Sequence, residues 1–246
     1  MYKRQIEYRA AGLNHLSILL EARYKNTGKD GYPIIKQNFD AYFSDLVNKH
    51  DAKPSKPGAE RGVFRKLFKT YGYLPITTDS HLGEYIQWAY SVADHDAILD
   101  FYDNYKEKCL AFYDNKTSYD HYFDLKNLDT HERVVPIIEG ILSDSAYEEP
   151  AINIPNNGYI ECLPKDIVVE VPGIINKSGI SGISFKNYPA AFGSLLNSQS
   201  GVIQMTTDAV LNASKHSAYL ALLADPVVND SFQAEKLLNN MLELSL

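Results

Sequence analysis

The chain has 246 residues, of which 45% are hydrophobic and 22% charged, a balance that excludes wholesale disorder. Its 24 Lys and Arg residues against 31 Asp and Glu residues give a net charge of −7, without the basic face that nucleic-acid-binding proteins carry. The apolar runs are far shorter than the ~20 residues of a membrane span, the N-terminus lacks the apolar core of a signal peptide, and two cysteines cannot form a disulfide framework. We therefore expect a soluble cytoplasmic protein that binds neither nucleic acid nor a membrane.

The first half of the chain is predicted to form a strand pair followed by helices. Residues 6–24 are rich in β-compatible side chains and predict strands joined at Leu13-Asn14-His15. Apolar residues then recur at helical spacing through residues 34–142, and Gly72 stands where a helix C-cap is expected. The helices predicted there are Ile34–Asn48, Glu60–Tyr71, Asp96–Phe112 and Glu132–Leu142, with a helix start or an aromatic-rich turn at Leu82–Tyr90.

Strands and then helices are predicted in the second half. Residues 151–171 hold three short strand candidates, Ala151–Ile154, Tyr159–Leu163 and Ile167–Val171. Between the first two, the Asn-Gly pair at 157–158 predicts a hairpin turn because both residues tolerate positive φ. The tail, residues 190–244, predicts helices at Ala190–Asn212, Ser214–Leu223 and Ser231–Leu244. This alternation of strands and helices predicts an α+β fold with a helical C-terminal third.

Two polar segments stand out as candidate sites, each with a structural alternative. A histidine beside strands is most often structural, but His15 follows Asn14, and an imidazole is also a common metal ligand beside an amide able to bind a hydroxyl group. In the segment 78–85, turn formation alone explains Asp79 and Ser80. It does not explain His81 and Glu84, which share one face of a helical turn and could supply a base and a metal-organising carboxylate.

Other residues give weaker signals. Glu132 suits the first turn of a helix capped by Thr130, and Asn153 is a polar group within a predicted strand. The sequence has no G-x-G-x-x-G, no P-loop, no C-x-x-C and no G-x-S-x-G. The chain by itself is therefore not expected to bind a dinucleotide in the usual way.

Taken in order, several segments resemble glycoside hydrolase family 4 over nearly the whole chain. Each motif is only moderately specific, but five in the same order are hard to obtain by chance. The segments are YRAAGLNH at 8–15, LFKTYGYLP at 67–75 followed by DSHLGEY at 79–85, THE at 130–132 with VPIIE at 135–139, NIPNNG at 153–158 with VEVP at 169–172, and LLADP at 222–226.

The resemblance implies a glycosidase that needs NAD and a divalent metal, usually manganese, and that cleaves small α-glycosides without the usual carboxylate pair. In this family NAD oxidises the sugar at C3, a base removes the acidified C2 proton, the leaving group is eliminated from C1, water adds and the hydride returns. The metal polarises the sugar oxygens as a Lewis acid.

Carried over motif by motif, the resemblance implies a role for each candidate. His15 would be a metal ligand, Asn14 would contact the sugar, and Asp79 would be the C2 base. The remaining candidates for substrate binding are His81, Glu84, Tyr85, Glu132 and Asn153. The α-galactosidase and α-galacturonidase-like branch fits best, and since no Arg or Lys adjoins residues 79–85, a neutral α-galactoside is favoured, with α-galacturonidase or α-glucosidase specificity as the alternative.

Family members are about twice as long, because an NAD-binding Rossmann half precedes the region matched here. That half supplies the nucleotide loop, a cysteine metal ligand and an acid, and Cys109 and Cys162 do not match that cysteine's context. We therefore expect residues 1–246 to be the substrate and metal side of such an enzyme, from a truncated or a split reading frame, and inactive alone. In the split case a separate Rossmann polypeptide is its expected partner, and the complete enzyme is expected to be a homo-oligomer. The alternative is a non-catalytic carbohydrate-binding relic.

Overall fold

The computed structural model of the chain describes residues 5–49, 62–93, 95–114 and 133–244. Within these ranges it forms eight α-helices, one 3₁₀ helix and five antiparallel strands, so the predicted α+β fold is confirmed. The elements in chain order are β1 (Ile6–Leu13), β2 (Leu16–Tyr24), α1 (Tyr32–Lys49), α2 (Gly62–Tyr71), α3 (Asp79–Tyr85), the 3₁₀ helix (Gln87–Ser91), α4 (His95–Asp114), α5 (Val134–Ser143), β3 (Tyr147–Pro155), β4 (Val168–Asn176), β5 (Gly179–Gly182), α6 (Ala190–Leu211), α7 (Lys215–Ala224) and α8 (Ser231–Leu244).

The sheet has the strand order β2-β1-β4-β3, and β5 pairs with the end of β4. A two-residue connection, Asn14 and His15, joins β1 to β2, as predicted. At that end of the hairpin Gly12 is opposite Ser17 of β2 on one side and Glu170 of β4 on the other, and Glu170 is opposite Asn153 of β3. Because directly paired residues face the same side of a sheet, these positions form one polar row across four strands.

The buried core lies between the sheet and several helices, with residues of α1, α2, α3 and α6 among those it contains. Helix α2 buries Val63, Phe64, Leu67 and Phe68, the stripe expected of an amphipathic helix. Helix α6 places Phe192 edge-on against Tyr71 at the end of α2, with ring centroids 5.9 Å apart. Gly72 follows α2 with a φ of +78°, and its N–H donates to the Phe68 carbonyl, so the predicted C-cap is confirmed.

The predicted strand at Tyr159–Leu163 is wrong. Asn157 and Gly158 do turn the chain with positive φ, but β3 pairs with β4 across a long connection instead of with the segment that follows the turn. The cause is Asn156, which is fully buried: its side-chain amide donates to the carbonyls of Ile160, Leu163 and Pro164 and accepts the Ile160 N–H. The connection folds around the Asn156 side chain, and the apolar residues of the connection are buried although it forms no strand.

The other predicted elements lie where expected, with shifted ends. The three tail helices are confirmed. The helices predicted before the sheet returns correspond to α1, α2, α4 and α5 as far as the described residues go, while residues 60, 61 and 132 of two predicted helices lie outside them. The 79–91 region forms both a short helix and a 3₁₀ turn. Strand β5 was not predicted, because its sequence GISG has one β-branched residue and two glycines. None of the helices that the structure describes is long and apolar enough to cross a membrane.

Candidate active site

The β1–β2 turn presents His15 in a backbone conformation that few residues adopt. Its φ is +61°, in the left-handed region, where histidine is one of the more tolerated non-glycine residues. Asn14 and His15 are both exposed, whereas Leu13 and Leu16 on either side are buried. The hairpin therefore anchors its base in the core and holds the two polar side chains at its tip.

Helix α3 brings a second histidine to this tip. The rings of His15 and His81 lie with centroids 4.0 Å apart and planes inclined by 35°. The Nδ1 atom of His81 is buried, and among the described residues no hydrogen-bond partner reaches it; Glu84 Oε1 is 3.7 Å away, too far for a hydrogen bond. This imidazole nitrogen is therefore buried without a hydrogen bond from any residue that the structure describes.

The carboxylate of Glu170 fixes the turn from the sheet side. Its Oε2 accepts from Asn14 Nδ2 at 3.3 Å, and its Oε1 accepts from the hydroxyl of buried Ser17 at 3.0 Å. Gly12 lies between them in the sheet, and a Cβ there would come 2.3 Å from the Leu16 carbonyl oxygen and 3.0 Å from Ser17 Cβ. Glycine is therefore required for the hairpin to close at this point.

Glu170 was not among the residues singled out from the sequence. The contact joins positions more than 150 residues apart, which no local pattern reveals. The one available signal was its chemistry: it is the only charged residue in the otherwise apolar strand β4, and an isolated carboxylate in such a strand needs a partner.

Asp79 lies on the other side of α3. It is 5% exposed, and its two carboxylate oxygens accept the backbone N–H groups of Val63 and Phe64 at 3.0 and 2.9 Å. These residues lie in the first turn of α2, so Asp79 satisfies helix donors that have no intrahelical acceptor and places its charge at the positive end of the helix dipole. In this geometry its role as the C2 base stays a prediction.

The remaining candidates differ in position. Tyr85 ends α3, where burial raises the pKa of its phenol and the neighbouring Glu84 carboxylate adds to the rise; its backbone carbonyl accepts from the buried amide of Gln199 on α6. Asn153 is exposed on β3 opposite Glu170. Glu132 lies outside the described residues. The site that the structure assembles thus consists of Asn14, His15, His81, Glu84 and Glu170.

Comparison with known proteins identifies the family to which the chain belongs. The sequence profile of the family 4 glycosyl hydrolase C-terminal domain matches residues 10–228. An α-glucosidase of Erwinia rhapontici is 38% identical over 96% of this chain and 55% of its own length, and an α-galactosidase of Bacillus subtilis is 28% identical over 90% and 49%.

The fold is likewise similar to a solved structure, a 6-phospho-α-glucosidase from gut microorganisms in complex with NAD and Mn²⁺. The TM-score is 0.72 at 21% identity, over 98% of this chain and 54% of the other. This chain spans about half the length of the relatives that it matches. It belongs to glycosyl hydrolase family 4 and corresponds to the C-terminal domain of that family.

Proposed function

We propose that the chain is the substrate and metal side of an NAD- and manganese-dependent α-glycosidase. The observation that supports this most directly is the His15–His81 contact at the hairpin tip, where no described residue bonds to His81 Nδ1, in a chain whose fold is similar to that of an enzyme crystallised with NAD and Mn²⁺. When bound, a divalent metal would polarise sugar oxygens as a Lewis acid.

The described residues provide one candidate metal ligand, His15, and not a complete metal site. His15 is exposed at the tip of a rigid hairpin, and imidazole is a usual ligand for divalent ions. In the part of the chain that the structure describes, no group of three or more His, Cys, Asp or Glu side chains could hold a metal ion. His15 would therefore hold the metal together with ligands from a second polypeptide or domain, and the sequence offers no glycine-rich loop for NAD.

The side chains around His15 have complementary tasks in this proposal. His81 packs against the His15 ring and restricts its orientation, and Glu84 Oε1 lies 3.7 Å from His81 Nδ1. Tyr85, with its raised pKa, stays protonated near neutral pH, so it can donate a proton or a hydrogen bond but does not act as a base there. Asn14 provides an amide beside His15 for a sugar hydroxyl.

For the sugar, we infer an unphosphorylated hexose. No Lys or Arg pairs with Asn14, His15, His81, Glu84 or Glu170 within the described ranges, so nothing seen there would neutralise a 6-phosphate or a uronate. The 38% identity to an α-glucosidase supports an α-glucoside as the first substrate to test, and the 28% identity to an α-galactosidase supports an α-galactoside as the second.

Co-expression tests the proposal. The chain would be produced with the N-terminal, unmatched part of the Erwinia rhapontici relative and assayed on nitrophenyl α-glucoside, α-galactoside and α-galacturonide with NAD and Mn²⁺. Hydrolysis that requires both polypeptides and both cofactors is the expected result. Sedimentation velocity of the same sample tests the homo-oligomer that belongs to this proposal.

Two histidine variants make the assay specific. His15→Ala is expected to abolish the activity, and His216→Ala, an exposed histidine on α7, is expected to leave it unchanged. Combined polypeptides that bind neither NAD nor Mn²⁺ would contradict the proposal, and sugar binding without hydrolysis would favour the carbohydrate-binding relic.

A further inference from the structure

We propose that Glu170 is a positioning residue that sets which atom of Asn14 faces the substrate. The inference rests on the proposed function for its importance, but its structural part stands on the hydrogen bonds of the hairpin tip. A carboxylate only accepts hydrogen bonds, so the Asn14 group that faces it at 3.3 Å must be the amide nitrogen. The amide oxygen of Asn14 then points away from Glu170.

The oxygen so presented is free. Asn14 is exposed, and no other side chain or backbone group in the described part of the chain bonds to its Oδ1. The open atom beside His15 is therefore an acceptor, which suits a sugar hydroxyl acting as the donor. An amide presented the other way round would offer a donor at the same place, and the hydroxyl would then have to accept.

The carboxylate itself has little freedom to move. Its second oxygen accepts from Ser17, which is 1% exposed, and its own strand lies between β1 and β3 in the sheet. The bond to Ser17 crosses Gly12, where a side chain would collide with Ser17. A buried hydroxyl on one side and a central strand beneath it hold the acceptor in place for Asn14.

Two substitutions of Glu170 test separately the orientation of the Asn14 amide and the anchoring of the β1–β2 turn. In Glu170→Gln the new amide oxygen can still accept from Ser17, which leaves its NH₂ group facing Asn14; we expect the Asn14 amide to reverse so that its oxygen faces inward. In Glu170→Leu no polar contact is possible, and we expect the turn to lose its fixed orientation. Glu148→Gln, a strand glutamate that accepts two hydrogen bonds from Arg9 elsewhere on the sheet, is the matched control.

The measurement is NMR of the full chain labelled at Asn and His, without metal, sugar or NAD. In the unsubstituted chain the Asn14 side-chain NH₂ protons should show cross-peaks to the Glu170 side chain, and the His15 and His81 rings should show cross-peaks to each other. Glu170→Gln should remove the first set and keep the second; Glu170→Leu should remove the first and weaken the second several-fold; Glu148→Gln should change neither.

Cross-peaks of Asn14 NH₂ to residue 170 that persist in Glu170→Gln would overturn the inference, and so would an unchanged His15–His81 cross-peak in Glu170→Leu. If Glu170→Leu does not fold, Glu170→Gln and Ser17→Ala decide alone, because Ser17→Ala should broaden the Asn14 signals without removing a charge. Since no cofactor takes part, an inactive two-part enzyme would contradict the proposed function and leave this result standing.

Discussion

At the scale of single residues, the carboxylates Asp79 and Glu170 differ in what they accept: Asp79 is buried and structural, and Glu170 is partly buried and belongs to the candidate site. Asp79 accepts two backbone N–H groups of α2, whereas Glu170 accepts from side chains at the hairpin tip. Sequence spacing placed Asp79 beside His81 and Glu84, but a short helix directs neighbouring side chains to different sides. Chemistry and spacing singled out His15 and His81 separately; only the fold shows that their rings meet and which way each carboxylate faces.

Replacing Asp79 tests its role as an acceptor for the first backbone N–H groups of α2. We expect Asp79→Ala to lower the free energy of unfolding by about 1–2 kcal/mol, as loss of a helix cap does, since the first N–H groups of α2 lose their acceptor inside the protein. Asp40→Ala is the control, because Asp40 pairs with Lys69 of α2 at the surface and such a pair contributes about 0–1 kcal/mol. Urea unfolding followed by circular dichroism measures both; equal losses would mean that Asp79 is not a cap.

Replacing Arg133 removes the partner of a second buried carboxylate, that of Glu149. Glu149 on β3 is 2% exposed and accepts from Arg133 Nε at 3.0 Å, just before α5 begins. Arg133→Met should cost about 1–3 kcal/mol because it leaves a buried carboxylate without its strongest donor. Lys177→Met, which removes an exposed partner of Asp144, should cost less than the Arg133 change. Thermal unfolding of the two variants decides, and similar losses would contradict the assignment.

At the scale of elements, sequence patterns correctly predicted the helices and strands that are stabilised by residues close together in the chain. The β1–β2 hairpin and the three tail helices form from contiguous periodic residues, and their predicted ranges are close to the observed ones. The failures are elements that depend on distant or unusual partners. Asn156 satisfies four backbone groups and replaces a strand by a folded connection, and β5 exists because β4 offers it an edge.

Tyr32 couples three elements and predicts a pH dependence. It stands at the start of α1, its hydroxyl donates to the Leu19 carbonyl of β2, and the Leu74 N–H donates to it. Burial is the main cause that raises its pKa to about 12 from the ordinary 10. The folded state thus favours the neutral phenol, so this stabilisation is complete below pH 10 and is lost as the pH rises from about 10 through 12.

We therefore expect the melting temperature of the chain to fall steeply between pH 10 and 12. Tyr32→Phe should lower the melting temperature at pH 8, where the hydrogen bonds are intact, and should make the fall above pH 10 shallower. Tyr90→Phe, which alters an exposed tyrosine, serves as the control and should leave both unchanged. A Tyr32→Phe profile parallel to that of the unsubstituted chain would contradict the assignment.

At the scale of the whole molecule, the chain has its own hydrophobic core, but the described residues do not form a complete metal site and the sequence has no nucleotide-binding loop. The sheet, α2 and α6 bury a continuous set of apolar side chains, which supports folding without a ligand. The sequence has no nucleotide loop, and the described residues hold no complete metal-ligand group. We therefore expect this chain to fold by itself and to bind the cofactors only with the second polypeptide or domain that the proposed function requires.

Ligand-induced shifts in melting temperature test that separation, because a ligand stabilises a fold in proportion to how tightly the folded state binds it. With the chain alone, saturating NAD should produce no shift, and millimolar Mn²⁺ at most a small one that His15→Ala removes. With the N-terminal part of the relative present, NAD and Mn²⁺ together should raise the melting temperature, since a ligand at 100 times its Kd adds about 2.7 kcal/mol. A large NAD shift in the chain alone would show that it holds a nucleotide site of its own, because no second polypeptide is there to supply one.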